Sequence, residues 1–169
     1  MAVTTVNYSS NTTITMDLAN LGSSSTFVAG RESSQIDNTT NKYMDALVSG
    51  FVSVGTTPTA NKTISVWVWG SDTSLAITPI DVLDGTDSAE TLTNSGILLS
   101  LRPLASIFVP AATSDVQYPV LPVSVAAQFG GVMPKFWGLY VAHDTVAALR
   151  NNAVNTNSFE FVGIKYDVT

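Results

Sequence analysis

The chain has 169 residues, of which 13 are acidic and 7 are basic, and its formal net charge is −6. This length is typical of a single β-sandwich or barrel domain. The absence of cysteine excludes a disulfide scaffold, a thiolate zinc site and a cysteine nucleophile. The acidic balance argues against a nucleic-acid partner, and no apolar run reaches the roughly 18 residues that a membrane-spanning helix needs.

The first 25 residues are predicted to form an arm that contains the first strand. Residues Met1 to Thr5 carry neither a basic leader nor the apolar segment of a signal peptide, so we expect synthesis in a cytosol. Further on, Ile14, Met16 and Leu18 alternate with polar residues, which predicts a strand with one apolar face. Because that face lacks an evident partner, we expect it to bind another chain.

The remaining residues, 26–169, are predicted to form a single β-sandwich domain. Residues Tyr43 to Val54 are apolar and β-branched towards their end, with Gly50 as a predicted bulge or bend. Further strands are predicted at Gly96 to Leu101, Ser106 to Val109, Tyr118 to Val125, Phe136 to His143 and Ser158 to Val168. Short helical turns are predicted at Val123 to Phe129 and Asp144 to Asn151.

The strongest strand pattern runs from Lys62 to Gly70. Its aliphatic side chains alternate with two indoles, so both faces of this strand are apolar. We expect Trp67 and Trp69 to face either a second covering layer or another subunit. The residues expected to face the sandwich core are Ile64, Val66 and Val68.

These patterns together predict an all-β protein. Eight or so short strands separated by turns are typical of an antiparallel β-sandwich, here expected to be jelly-roll-like, with under about 15% helix. The alternating strand and helix pattern of a parallel sheet is missing.

The sequence offers no complete catalytic set. His143 is the only histidine, and Asp144 beside it is a candidate to orient it, but no G-x-S-x-G nucleophile motif accompanies them. A single histidine that ends an apolar strand is more typical of an ordinary strand-end residue. We therefore predict a non-enzymatic protein without catalytic residues.

The densest acidic stretch is a second candidate site. Asp81, Asp84, Asp87 and Glu90 are spaced by three residues, which differs from the register of an EF-hand calcium loop. A solvated loop that turns at Gly85 fits better. Neither a metal nor a cofactor is expected, and the Gly130-Gly131 pair lacks the context of a phosphate-binding loop.

Aromatic residues on predicted strands are a third candidate site. They are suited either to stacking against a sugar or to filling a core or subunit interface, and the second use is more common on strands. The residues concerned are Trp67, Trp69, Tyr118, Trp137 and Tyr140.

Three stretches carry a resemblance to a known group of proteins: Glu32 to Asn41, Asp81 to Thr91 and Gly130 to Val141. Together they resemble small virion structural proteins of tailed bacteriophages, and the similarity runs from about Arg31 to the C-terminus. The resemblance transfers no active site. It implies a capsid-associated component, and decoration (cement) proteins fit best by size and strand content.

On this basis we expect a capsid decoration protein that binds the major capsid protein on the outer surface of the phage head. A homotrimer would match the local three-fold positions of the shell, with residues 2–18 as the contacting arm. Removal of residues 1–20 should therefore abolish binding without unfolding the rest. Neither nucleic acid nor membrane is an expected partner. The expected interaction residues are Ile14, Met16, Leu18, Trp67 and Trp69.

Two alternatives remain open. A receptor- or glycan-binding β module of a phage tail or fibre would also be rich in Ser and Thr, and would use exposed Trp or Tyr in a groove. A small hydrolase would need His143 or a pair of carboxylates in a pocket. The exposure of the aromatic side chains separates the first alternative from a decoration protein.

Overall fold

A computed structural model describes residues 4–150 and 157–168 of the chain. The protein is 47% strand and 6% helix and contains two antiparallel sheets, which confirms the predicted all-β sandwich and its low helix content. The jelly-roll connection stays a prediction. None of the described helices has the length and apolar character that would be needed to cross a membrane.

Eleven strands make up the two sheets in the described residues. In chain order they are β1 (Thr4–Tyr8), β2 (Thr12–Ile14), β3 (Ala29–Glu32), β4 (Ile36–Asp37), β5 (Asp45–Ser53), β6 (Lys62–Ser71), β7 (Ser88–Thr91), β8 (Arg102–Val109), β9 (Gln117–Ser124), β10 (Phe136–His143) and β11 (Ser158–Val168). The first sheet has the order β1-β11-β5-β9, with β2 also paired to β11. The second has the order β7-β3-β10-β6-β8, with β4 also paired to β10.

The main core lies between the two sheets. Alternate residues of β5 and β6 point into it, and the predicted inward face of β6 is confirmed, because Ile64, Val66 and Val68 are fully buried. The predicted irregularity at Gly50 is also confirmed, since the pairing of β5 with β9 shifts register between Val48 and Gly50. A side chain at Gly50 would collide with the Ser158 carbonyl of β11, which restricts this position to glycine.

A second apolar layer covers the outer face of the second sheet. The segment between β6 and β8, residues 72–101, folds back over that face and buries four leucines against Trp69 and Tyr140. The two indoles of β6 therefore meet a covering layer of the same chain, which is one of the two arrangements expected for them. The four leucines are Leu75, Leu83, Leu92 and Leu101.

Two predicted elements are wrong, and a third is displaced: the strand predicted over Ile14, Met16 and Leu18 is β2, which ends at Ile14. Gly96 to Leu101 is not a strand: residues Ser95–Leu99 form a 3-10 helix, because the Asn94 side chain accepts a hydrogen bond from the Gly96 N–H and caps it. The predicted helix after Asp144 is absent up to Arg150, and Asn151 lies outside the described residues.

The Asp144 carboxylate explains the missing helix. It accepts from the Thr63 N–H at 2.7 Å and from Lys62 at 3.3 Å, so it anchors β6 and does not cap a helix. The other predicted helical turn is confirmed as α1 (Val125–Gln128), which Ser124 caps by accepting from the Ala127 N–H.

Candidate functional site

The structure places the predicted arm residues inside the core of their own chain. Strand β2 pairs with β11, and Ile14 and Leu18 are buried between the sheets, with Met16 partly buried beside them. This corrects the expectation of an unpartnered apolar face, because β11 and the core cover it. Removal of residues 1–20 would also delete Ile14 and Leu18 from the core, so that truncation cannot separate binding from folding.

The two indoles of β6 are placed in the second apolar layer. Trp69 is fully buried, and its ring passes directly over Gly138 of β10, where a side chain would lie 2.4 Å from the indole. Trp67 is partly buried, with its ring centroid 5.9 Å from that of Phe27 and 6.0 Å from that of Tyr140. Packing against the same chain therefore accounts for both residues.

The predicted aromatic set does not form an exposed platform. Trp137 lies in the main core, 5.2 Å from the ring of Phe161, and Tyr140 points to the opposite side of β10 and donates to the Val28 carbonyl at 2.6 Å. Tyr118 is partly buried at the edge of the main core. The interpretation of these residues as core is confirmed for Trp69, Trp137 and Tyr140.

His143 is a buried core residue with both ring nitrogens engaged. Its Nε2 lies 2.9 Å from the Leu21 carbonyl, which can only accept, so this nitrogen carries the proton of the neutral ring. Its Nδ1 lies 2.8 Å from Oγ1 of Thr145. Burial lowers the pKa of His143 below its usual 6.5. Since Asp144 binds β6, it does not orient the imidazole as a catalytic carboxylate would.

The carboxylates of the acidic stretch point to separate partners. In residues 4–150 and 157–168, no group of three His, Asp or Glu side chains is arranged to hold a metal ion. Each carboxylate instead fixes the local backbone or a neighbouring strand. Asp81 accepts from Thr93, Asp84 accepts from the Thr86 N–H, and Asp87 pairs with Arg31 at 2.6 Å.

Glu32 is a structurally important residue that the sequence analysis missed. Its carboxyl group is fully buried and accepts from the backbone N–H groups of Asp84 and Gly85, each at 3.0 Å. Burial raises the pKa of Glu32 to about 8. We call this contact the Glu32 clasp. It holds the Asp84-Gly85 turn, in which Gly85 has a φ of 83°, against β3.

The Glu32 clasp joins two of the three stretches singled out in the sequence analysis, 32–41 and 81–91, and the third, 130–141, lies beside them. Strand β3 pairs with β7 on one side and with β10 on the other, and β4 pairs with the start of β10. Glu32 faces Tyr140 across the β3–β10 pair. Strand residues of all three stretches, 32–41, 81–91 and 130–141, are thus joined by pairing in the second sheet.

An uncovered feature of the described residues is a two-stranded ribbon made by β1 and the end of β11. Strand β11 pairs with β5 only over residues 158–164, and residues 165–168 pair with β1 alone. Val6 lies opposite Tyr166, and Tyr8 lies opposite Ile164. Val6, Tyr8 and Tyr166 are 50%, 65% and 57% exposed, so the ribbon presents an aromatic face to solvent.

Comparisons with protein-family models, curated proteins and solved structures found no match. The functional argument therefore rests on the residues of this chain and their arrangement. Two features bear on the function most directly: the paired strands of the second sheet that contain the Glu32 clasp, and the ribbon made by β1 and the end of β11.

Proposed function

We propose that this protein is a non-enzymatic decoration (cement) protein of a tailed-bacteriophage capsid. In this proposal it binds the major capsid protein on the outer surface of the head and works as a homotrimer. The observation that carries the proposal is that the three phage-like stretches meet in one unit of the second sheet.

The buried polar contacts of that unit support a scaffolding role. Glu32 binds two backbone N–H groups, Gln35 accepts from the Leu75 N–H at 2.8 Å, and Gln35 also donates to the Ser74 hydroxyl at 3.1 Å. These contacts fix the covering segment on the sheet at several points. A decoration protein that reinforces a shell needs a rigid domain, because mobile loops in it would deform and leave the shell unsupported.

The surface composition also supports a decoration protein. The chain contains 40 Ser and Thr residues and only 12% charged residues. Short hydroxyl side chains lose little conformational entropy when a contact buries them, so a surface rich in them suits dense packing on a lattice. The net charge of −6 suits a position outside the shell, away from packaged DNA.

The residues that the sequence analysis offered for the two alternatives do not support them. A glycan-binding module of a tail or fibre would need the predicted aromatic set at the surface, and Trp69, Trp137 and Tyr140 are buried. A hydrolase would need His143 next to a nucleophile in a pocket, and that ring is buried between Leu21 and Thr145.

Heads of the phage that carries this sequence, purified without this protein, provide the test. Adding the purified protein back should coat the heads and raise the temperature at which they release DNA. Light scattering on the free protein should give the mass of three chains. Heads that neither bind the protein nor gain thermal resistance would contradict the proposal.

A further inference from the structure

The two outer faces of the sandwich differ in what covers them. Residues 72–101 of the same chain bury the outer face of the second sheet. On the first sheet, alternate residues of β11 from Glu160 to Tyr166 point outward, and alternate residues of β5 do the same, ending at Phe51, which is 45% exposed. Most of the outward residues of this face are partly exposed, in contrast to the fully buried Trp69 and Tyr140 of the second sheet.

The ribbon extends this face beyond the sandwich, and its two sides have different chemistry. On one side Asn7 donates to Asp167, and Lys165 lies 3.8 Å from Asp167, so the polar side chains satisfy one another. On the other side Val6, Tyr8 and Tyr166 form the aromatic face. A ribbon of only two strands is marginally stable in water, so a partner that covers the aromatic face would stabilise it.

The free edge of β1 is open to another strand. Its five residues contain neither proline nor a charged side chain. The other strands at the ends of the two sheets are protected in ways that block strand addition: β9 contains Pro119 and Pro122, β8 begins with Arg102 and Pro103, and the short β7 contains Glu90. Strand β2 also lacks proline and charge, but it is only three residues long. The edge of β1 therefore stands out as the place where a foreign strand can pair.

The size of the aromatic face favours a repeated partner over a second copy of this chain. With about 200 Å² for each tyrosine, the exposed fractions give an apolar patch of about 300 Å². A stable interface needs roughly 800 Å² from each partner, so this contact alone would not hold two copies together. The proposed trimer would present three ribbons to a shell that repeats the same strand, so that avidity compensates for the weakness of each contact.

We infer that the β1–β11 ribbon is the shell-binding element: an extended, uncharged strand of the major capsid protein pairs with the free edge of β1, and its apolar side chains pack on Val6, Tyr8 and Tyr166. The inference rests on the proposed function and assigns its contact surface. It moves the contact from Ile14, Met16 and Leu18, which are covered, to residues that are exposed.

The test measures binding of the full chain to heads that lack it. The variant Y8D/Y166D places two charges on the aromatic face without touching the core. The matched control is Phe108→Asp, which charges an aromatic side chain of similar exposure, 59%, on β8 of the other sheet. Circular dichroism and the Tm of each variant check that the fold is kept. We expect Y8D/Y166D to lose about tenfold or more in affinity and Phe108→Asp to bind like the wild type.

Hydrogen exchange distinguishes strand addition from simple face-to-face contact. The amides of Thr4–Tyr8 that point away from β11 should exchange quickly in the free protein and slowly on heads. Equal binding by the wild type and Y8D/Y166D, or unchanged exchange in β1, would overturn the inference while the proposed function stands. Free wild-type protein that self-associates through Tyr8 and Tyr166 would assign the surface to a second copy instead. Failure of the wild type to bind heads would overturn the proposed function and the partner named here together.

Discussion

The Glu32 clasp predicts an unusual dependence of stability on pH. The pKa of the Glu32 carboxyl group is raised from 4.5 to about 8 in the folded protein. Between pH 4.5 and about 8 the folded state therefore holds a proton that the unfolded state has released. The stabilisation from this group is complete below pH 4.5 and is lost as the pH rises through about 8. The expected slope is about 1.4 kcal/mol per pH unit, and the whole change is on the order of 5 kcal/mol.

The variant Glu32→Gln isolates this effect, because it removes the titrating group and keeps its shape. The amide leaves one of the two backbone N–H groups, of Asp84 or Gly85, without its acceptor, which costs about 1–3 kcal/mol regardless of pH. Urea unfolding of both proteins should therefore show a wild-type advantage at pH 5 that shrinks as the pH rises and reverses before pH 8, because the loss on the order of 5 kcal/mol exceeds the cost of about 1–3 kcal/mol in the variant. Glu160→Gln, on β11 far from the clasp, controls for the change in net charge. A wild-type advantage that is constant or that grows with pH would refute the account of Glu32.

Four other predictions concern the core, the covering layer and the acidic stretch. Val66→Ala should lower the free energy of unfolding by about 2–3 kcal/mol through a cavity in the main core, as measured by urea unfolding. Gly138→Ala should lower the Tm, because its methyl group would collide with the Trp69 ring. Burial lowers the pKa of His143, so its contribution to stability is present above pH 6.5 and lost as the pH falls below that value. In the Glu32→Gln variant, where residue 32 no longer titrates, a Tm that does not drop on acidification below pH 6.5 would contradict this. Neither EDTA nor Ca²⁺ should change the Tm, since Asp81, Asp84 and Asp87 bind separate partners.

Strand positions were predictable where the sequence pattern covers a whole strand and shows which side chains lie on each of its faces. The alternation of aliphatic and indole side chains located β6, and apolar runs bounded by prolines or polar turns gave β10 and β11 with their observed bounds. The short run from Gly96 to Leu101 is equally apolar, but a run of this length fits a strand or a helical turn. The Asn94 cap decided between them.

The alternation at Ile14, Met16 and Leu18 correctly identified an apolar face, but periodicity does not say what covers it. Pairing with β11, about 145 positions away in the sequence, brings this face into the core. Glu32 escaped prediction for the same reason, because its segment is polar and its burial depends on the distant turn at Asp84 and Gly85. In both cases long-range contacts, which local sequence does not encode, determined the environment.

A cryo-EM reconstruction of the phage particle tests the central proposal most directly. The account predicts sandwich-shaped density on the outer surface of the head, arranged in threes, with the β1–β11 ribbon against the major capsid protein. Density for this protein on the tail alone, or its absence from the particle, would contradict the assignment as a decoration protein.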